Sequence, residues 1–181
     1  GQSPRVEQKG SFEVDDESEV VEETQKAGAS LPESAMGRKM AHTDKKIRDK
    51  AVIVLSKWIS QQVSMDVEDH LKIWKALFYC FWMSDKPLIQ EELADKISQL
   101  MHSFPNEEQV LLYVQTFYQT MEREWSGIDR LRMNKFYNLI RCMQREIYTF
   151  LGKRNWSEDE MSMFNSILAD GPLLVNNLKA P

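Results

Sequence analysis

From residue 44 to the neighbourhood of Gly171, apolar side chains recur every three or four positions with polar ones between them, which is the period of an amphipathic helix. The stop and start signals around these runs mark out six helices. Thr43 or Asp44 caps a first, which reaches about Ser64 and carries Ile47, Val52, Leu55, Trp58, Ile59 and Val63 at helical spacing. Asp66, with Asp69 three residues on, caps a second that runs to about Asp85. Pro87 stands in the first turn of a third, ending before Phe104 and Pro105. Asn106 with Gln109 makes a capping-box pattern for a fourth, which ends near Ser126 and Gly127. A fifth runs from about Ile128 to Leu151, just ahead of Gly152. Ser157 with Glu160 is a second capping box, opening a sixth that Gly171 and Pro172 end, and a seventh element has room to begin after them. No β-branched residues alternate with polar ones over more than a few positions, so no strand competes.

Alternate helices begin about 40 residues apart, the period of HEAT-type helical pairs, so the expected fold is all-α, a HEAT-like array of about six or seven antiparallel helices. No residue-level similarity links the pairs, and a compact bundle remains the alternative. Ala76 to Met83 is apolar all round rather than on one stripe, which predicts a central second helix packed on both sides. Residues 1–43 differ in kind: they hold one aromatic, Phe12, and four of the seven glycines, the composition of a disordered tail. Its acidic residues (Glu13, Asp15, Asp16, Glu17, Glu19, Glu22 and Glu23) are interleaved with Val14, Val20 and Val21, a pattern that suits either solvent or a basic surface. The expected organisation is therefore an acidic tail and linker over 1–43 and a helical domain over 44–181 that continues beyond Pro181.

Charge sharpens this reading. The whole chain carries a formal net charge of -5, but it is banded: residues 38–57 are net +5, residues 66–124 net -6 and residues 128–154 net +5. Bulk electrostatics therefore do not make it a nucleic-acid binder, and any such contact has to come from a local patch. The longest apolar run is eight residues, whereas a spanning helix needs about 20, so no membrane partner is expected. Cys80 and Cys142 both sit in apolar helical patterns, which favours reduced, buried thiols in a reducing compartment.

Catalytic chemistry has few candidates. The three glycines after residue 43 (Gly127, Gly152 and Gly171) each fall at a helix boundary, so there is no phosphate-cradling loop. His42, His70 and His102 are scattered, and the cysteines lie 62 residues apart, which is no metal-ligand spacing. Carboxylate pairs such as Glu91-Glu92 and Glu107-Glu108 sit at or near helix starts, where they suit the dipole. No catalytic, metal or cofactor-binding residue and no small-molecule substrate is expected. Trp74, Trp82 and Trp125 have core-like neighbours and read as packing rather than as an aromatic cage. On a wheel of the fifth helix, Arg130, Asn134, Tyr137, Arg141 and Arg145 fall within about 80° of one another, away from an apolar arc that includes Leu131, Ile140 and Phe150. That stripe could contact phosphates and stack on a base, or be an ordinary solvated face balanced by acids on the neighbouring helix. Arg132 and Lys135 project into the apolar arc, where internal pairing is expected, with Asp85 or Glu124 as partners.

Two segments are more specific. Phe78-Tyr79-Cys80-Phe81-Trp82-Met83-Ser84-Asp85-Lys86-Pro87-Leu88, and Arg123-Glu124-Trp125-Ser126-Gly127-Ile128-Asp129-Arg130-Leu131-Arg132-Met133-Asn134-Lys135-Phe136-Tyr137, closely resemble the signatures of the nucleolar ribosomal RNA processing protein 1 family. Weaker similarity covers roughly residues 44 to 178. Asn134 stands where that family usually carries an aspartate, and Phe81 where a smaller apolar residue is common. The resemblance implies a non-catalytic scaffold of the nucleolus and nucleus. It would act in pre-rRNA processing and large-subunit assembly, binding other assembly factors in precursor particles and possible pre-rRNA. The alternative is a helical-repeat adaptor with protein partners only. Both segments include turns between helices, and Lys86 and Arg130 with Asp85 are expected at one edge of the array, with Tyr137, Arg141 and Arg145 completing the candidate partner or RNA surface.

Overall fold

The computed structural model describes residues 39, 40 and 42–173, so the acidic run of the tail and the chain after Leu173 lie outside the described residues. Six helices follow in order: α1 (Lys45–Ile59), α2 (Val67–Trp82), α3 (Pro87–Gln99), α4 (Glu107–Glu124), α5 (Arg130–Lys153) and α6 (Glu158–Asp170). Single 3₁₀ turns extend α3 through Leu100–Ser103 and α4 through Trp125–Gly127. Side chains place most of the starts. Asp44, Asp66, Asn106 and Asp129 each accept a backbone N–H from the first turn of α1, α2, α4 and α5. α3 begins on Pro87 with no side-chain cap, and Ser157 makes no capping bond to α6.

The helices form two layers. α1 packs on α3 and α3 on α5; α2 packs on α4 and α4 on α6. Within each layer the neighbours run parallel, as paired contacts at constant offset show. Lys45 meets Glu92 and Lys96 meets Asp49 between α1 and α3. His70 meets Gln109 and Trp74 meets Tyr113 between α2 and α4. Arg154, at the end of α5, bridges Glu107 and Glu160, and Tyr118 lies against Gly171, so α4 and α6 follow the same rule. Alternation between two layers with parallel neighbours is the arrangement that a 40-residue helical-pair period predicts, and the HEAT-like array is the observed fold.

Between the layers runs an aromatic seam. Trp74 stacks on Tyr113 at 4.6 Å and donates its Nε1–H to the Tyr113 carbonyl at 2.8 Å, while Tyr113 donates its hydroxyl to Ile97 O at 3.0 Å. Further along, Phe136 of α5 receives Phe78 at 5.0 Å and Phe81 at 5.2 Å from α2. Trp74 is thus core, whereas Trp82 and Trp125 are half-buried.

Several boundaries differ from the periodic reading, each for a tertiary reason. α1 ends at Ile59, and Val63 is 76% exposed, because the loop after it is held by another helix. Asn106 Nδ2 donates to Val63 O, and the buried Gln109 amide accepts from Met65 N and donates to Met65 O. Gln109 therefore does not close a capping box; its side chain is spent on this loop and on His70 Nε2 at 3.0 Å. α2 stops at Trp82 rather than Asp85, and the apolar run Ala76 to Met83 is not buried all round: Tyr79 is 51% exposed, and Met83, just past the helix end, 40%. α5 starts at Arg130, two residues late, because Asp129 caps it. It also runs through Gly152: the left-handed position that ends it is Asn155, with φ 58°, followed by Trp156 with φ 55°. Asn155 N–H donates to Gly152 O and Trp156 N–H to Leu151 O, the two bonds of a Schellman ending.

Candidate interaction surface

The α2–α3 turn and the start of α5 are locked by two cations. Lys135 is buried at 6% exposure, and its Nζ donates to Trp82 O and Ser84 O, both at 2.8 Å, so it satisfies carbonyls at the end of α2. Burial lowers its ammonium to about 8, with the like charge of Arg132 acting in the same direction. Arg132 places its guanidinium 4.8 Å over the Trp82 ring and pairs with Asp129. The expected internal engagement of both residues is present, but their partners are carbonyls, a ring and Asp129 rather than Asp85 or Glu124. The sequence reading missed the carbonyls because main-chain acceptors leave no trace in residue identity.

Around this lock the surface is open. Asp85, Lys86 and Arg130 are exposed, and among the described residues none of them is ion-paired. Leu131 was expected in the apolar arc of α5, yet it is 93% exposed; it precedes Lys135 by one turn and projects past the end of α2. Leu88, in the first turn of α3, is 79% exposed. Ile140 and Phe150 of the same arc are half-buried.

The stripe of α5 is where the wheel placed it: Arg130, Asn134, Tyr137, Arg141 and Arg145 are all exposed. They are not equivalent. Arg145 Nη2 donates to Asp95 of α3 at 2.8 Å and meets Glu146 at 3.0 Å, so the neighbouring helix does balance this one cation. Arg141 has no ion pair among the described residues. Tyr137 leans edge-on against Trp125 at 5.2 Å and is 43% exposed. The far half of the stripe opens into a depression of about 540 Å³ lined by Ile140, Arg141, Gln144, Arg145, Tyr148 and Thr149. Gln144 is fixed there by donating to the Tyr118 hydroxyl at 2.6 Å, and Tyr148 is 56% exposed. Tyr148 was not singled out in the sequence, although it stands 11 residues after Tyr137, three turns along the same face.

Both cysteines are buried, and two of the histidines are buried or paired. Burial pushes the Cys80 thiol up to about 12 and raises that of Cys142, and both are free. His102 Nε2 meets Glu146 at 2.9 Å, and burial holds His70 below its ordinary value. Among the described residues no three His, Cys, Asp or Glu side chains gather as metal ligands, and no helix is long and apolar enough to cross a membrane.

The sequence profile of the family described as "Nucleolar protein, Nop52" matches residues 31–181. The chain belongs to the Nop52 family. Its relatives carry the name that the two signature segments suggested. Ribosomal RNA processing protein 1 homolog B of Homo sapiens is 44% identical over 141 residues, which is 75% of this chain and 19% of the relative. Ribosomal RNA processing protein 1 homolog A of Homo sapiens is 42% identical over 142 residues, 76% of this chain and 31% of the relative. The Drosophila melanogaster homolog is 41% identical over 134 residues, covering 71% and 20%. This Nop52-family chain thus spans between about a fifth and a third of the length of these relatives. The family's description is nucleolar, in agreement with the nucleolar and nuclear localisation that the resemblance implied.

Proposed function

We propose that this chain is the helical-array part of a non-catalytic scaffold in pre-rRNA processing and large-subunit assembly, and that α5 is the face it turns towards pre-rRNA. The relatives' names support the process. In this proposal residues 44–181 are the array, residues 1–43 its acidic tail, and other assembly factors in precursor particles take the remaining faces. The observation that carries the RNA contact is the row on α5: Arg130 and Arg141 without ion pairs, Tyr137 between them, and a depression with Tyr148 beyond. Cations at helical spacing can follow phosphates, and exposed aromatic rings offer bases a stacking surface. The non-catalytic reading rests on what the reactive groups do: Cys80 is buried in its protonated form and Lys135 is spent on carbonyls.

A salt titration of RNA binding tests the contact. Affinity should fall linearly on a logarithmic salt scale, and the slope should lose about 0.7 per contact on single strands when Arg141 is replaced by Ala. Arg145→Ala should change it less, since Asp95 already neutralises that guanidinium. A slope unmoved by Arg141→Ala would favour the second reading, a protein-only adaptor, for which the Arg145–Asp95 pair and the exposed Leu131 speak.

A further inference from the structure

The edge at the α2–α3 turn has an apolar part that RNA phosphates would not use. Met83 is 40% exposed and Leu88 79% on either side of Asp85 and Lys86 at the α2–α3 turn, and Leu131, 93% exposed, follows Arg130 at the start of α5. Lys135 and Arg132 hold this edge rigid from beneath. Aliphatic side chains together with free cations call for a partner that carries carboxylates and apolar side chains within a few residues of each other.

Such a segment exists in the chain itself. Residues 12–23 hold seven carboxylates and no cation, with Phe12, Val14, Val20 and Val21 among them. The tail also enters at the same end of the array. The Lys45–Glu92 and Asp49–Lys96 pairs set the offset between α1 and α3, and that offset puts residues just ahead of α1 level with the first turn of α3. Arg48 anchors that entry by donating to His42 O at 2.6 Å and Thr43 O at 2.8 Å, and its charge is close enough to act on Cys80 and Lys135. The sixteen residue steps from Glu23 to Lys39 span up to about 50 Å when extended, more than the length of any helix in the array. Because α1, α3 and α5 run parallel, their N-termini share this end of the array with the entry of the tail.

We propose that residues 12–23 dock in cis on the edge formed by the α2–α3 turn and the first turns of α5, with Lys86 and Arg130 meeting the carboxylates and Met83, Leu88 and Leu131 meeting Phe12 and the valines. The docked tail covers the N-terminal end of the α5 stripe and leaves Arg141 and the depression open. This inference does not depend on RNA contact.

Amide spectra of the full 181-residue chain test it. At low salt, the charge-reversed tail D15K/D16K/E17K should shift amides of residues 83–89 and 129–134 and leave 140–149 in place. The reciprocal K86E/R130E, at two exposed positions with no ion pair among the described residues, should shift amides of residues 12–23, and combining both sets, which restores opposite charges across the contact, should bring the tail and edge amides back towards their wild-type positions except beside the substituted residues. Raising salt to about 1 M, where the screening length is about 3 Å, should reproduce the tail-reversal spectrum. Edge amides that ignore tail reversal would overturn the proposal and leave the patch to a separate partner. Shifts at 140–149 instead would also overturn it, by placing the tail in the α5 depression.

Discussion

Lys135 shows how much one side chain can decide. Its position in the apolar arc of α5 is plain from the wheel, but what it does there depends on two carbonyls 51 and 53 residues away in sequence. Replacing it with Met keeps the stem and removes both donors. An unanswered buried carbonyl costs about 1–3 kcal/mol, and relief from burying an ammonium offsets part of this, so K135M should lose about 2 kcal/mol in urea unfolding at pH 7. The pH dependence has a definite sign. Below about pH 8 the folded and unfolded chains both hold the Lys135 proton. Between there and the ordinary value of 10.5 the unfolded chain still holds it while the folded chain has released it. The unfolded state then binds more protons, and the contribution of this residue to stability rises with pH. The stability gap between wild type and K135M should accordingly widen from pH 8 to pH 10.5, and a gap that narrows would mean that the neutral amine no longer caps α2.

At the level of the element, starts were more legible than ends. An Asp or Asn ahead of an apolar-periodic run caps through its own side chain, so Asp44, Asp66 and Asn106 could be read directly. Ends depend on what the last carbonyls find, and at three of them the partner is distant in sequence or is backbone geometry. α5 is the clearest case, since Gly152 suggested a stop that Asn155 actually provides. Asn tolerates the left-handed region better than other side chains, whereas a β-carbon without that polar group costs about 1–2 kcal/mol there. N155A should therefore lower stability by about 1 kcal/mol in thermal unfolding, while N155G should match or slightly exceed wild type. If N155A were neutral, the α5–α6 turn would be held by its surroundings alone, notably Trp156 packed at 3.9 Å from the position a Gly152 β-carbon would take.

For the whole molecule, the two-layer order was implicit in the spacing of helix starts, and the α5 stripe was implicit in its wheel. What the chain alone could not show is which stripe residues another layer neighbour neutralises. Asp95 claims Arg145 because α3 and α5 lie side by side, and Leu131 is left bare because α2 ends before reaching it. The layers are nevertheless one cooperative unit if the aromatic seam couples them. Phe136 is the test, being fully buried on α5 and in contact with Phe78 and Phe81 of α2. Truncation to Ala should cost about 3–5 kcal/mol, and F136L, which keeps most of the volume, clearly less. In both variants, made in a W58F background so that Trp74 between α2 and α4 is the buried tryptophan that reports, the loss should appear as one transition, with tryptophan fluorescence and far-ultraviolet dichroism moving together. Trp74 sits in the even layer and Phe136 in the odd one, so the two probes would separate if the layers unfolded independently. In F136A the odd layer would then melt first and leave the Trp74–Tyr113 stack in place.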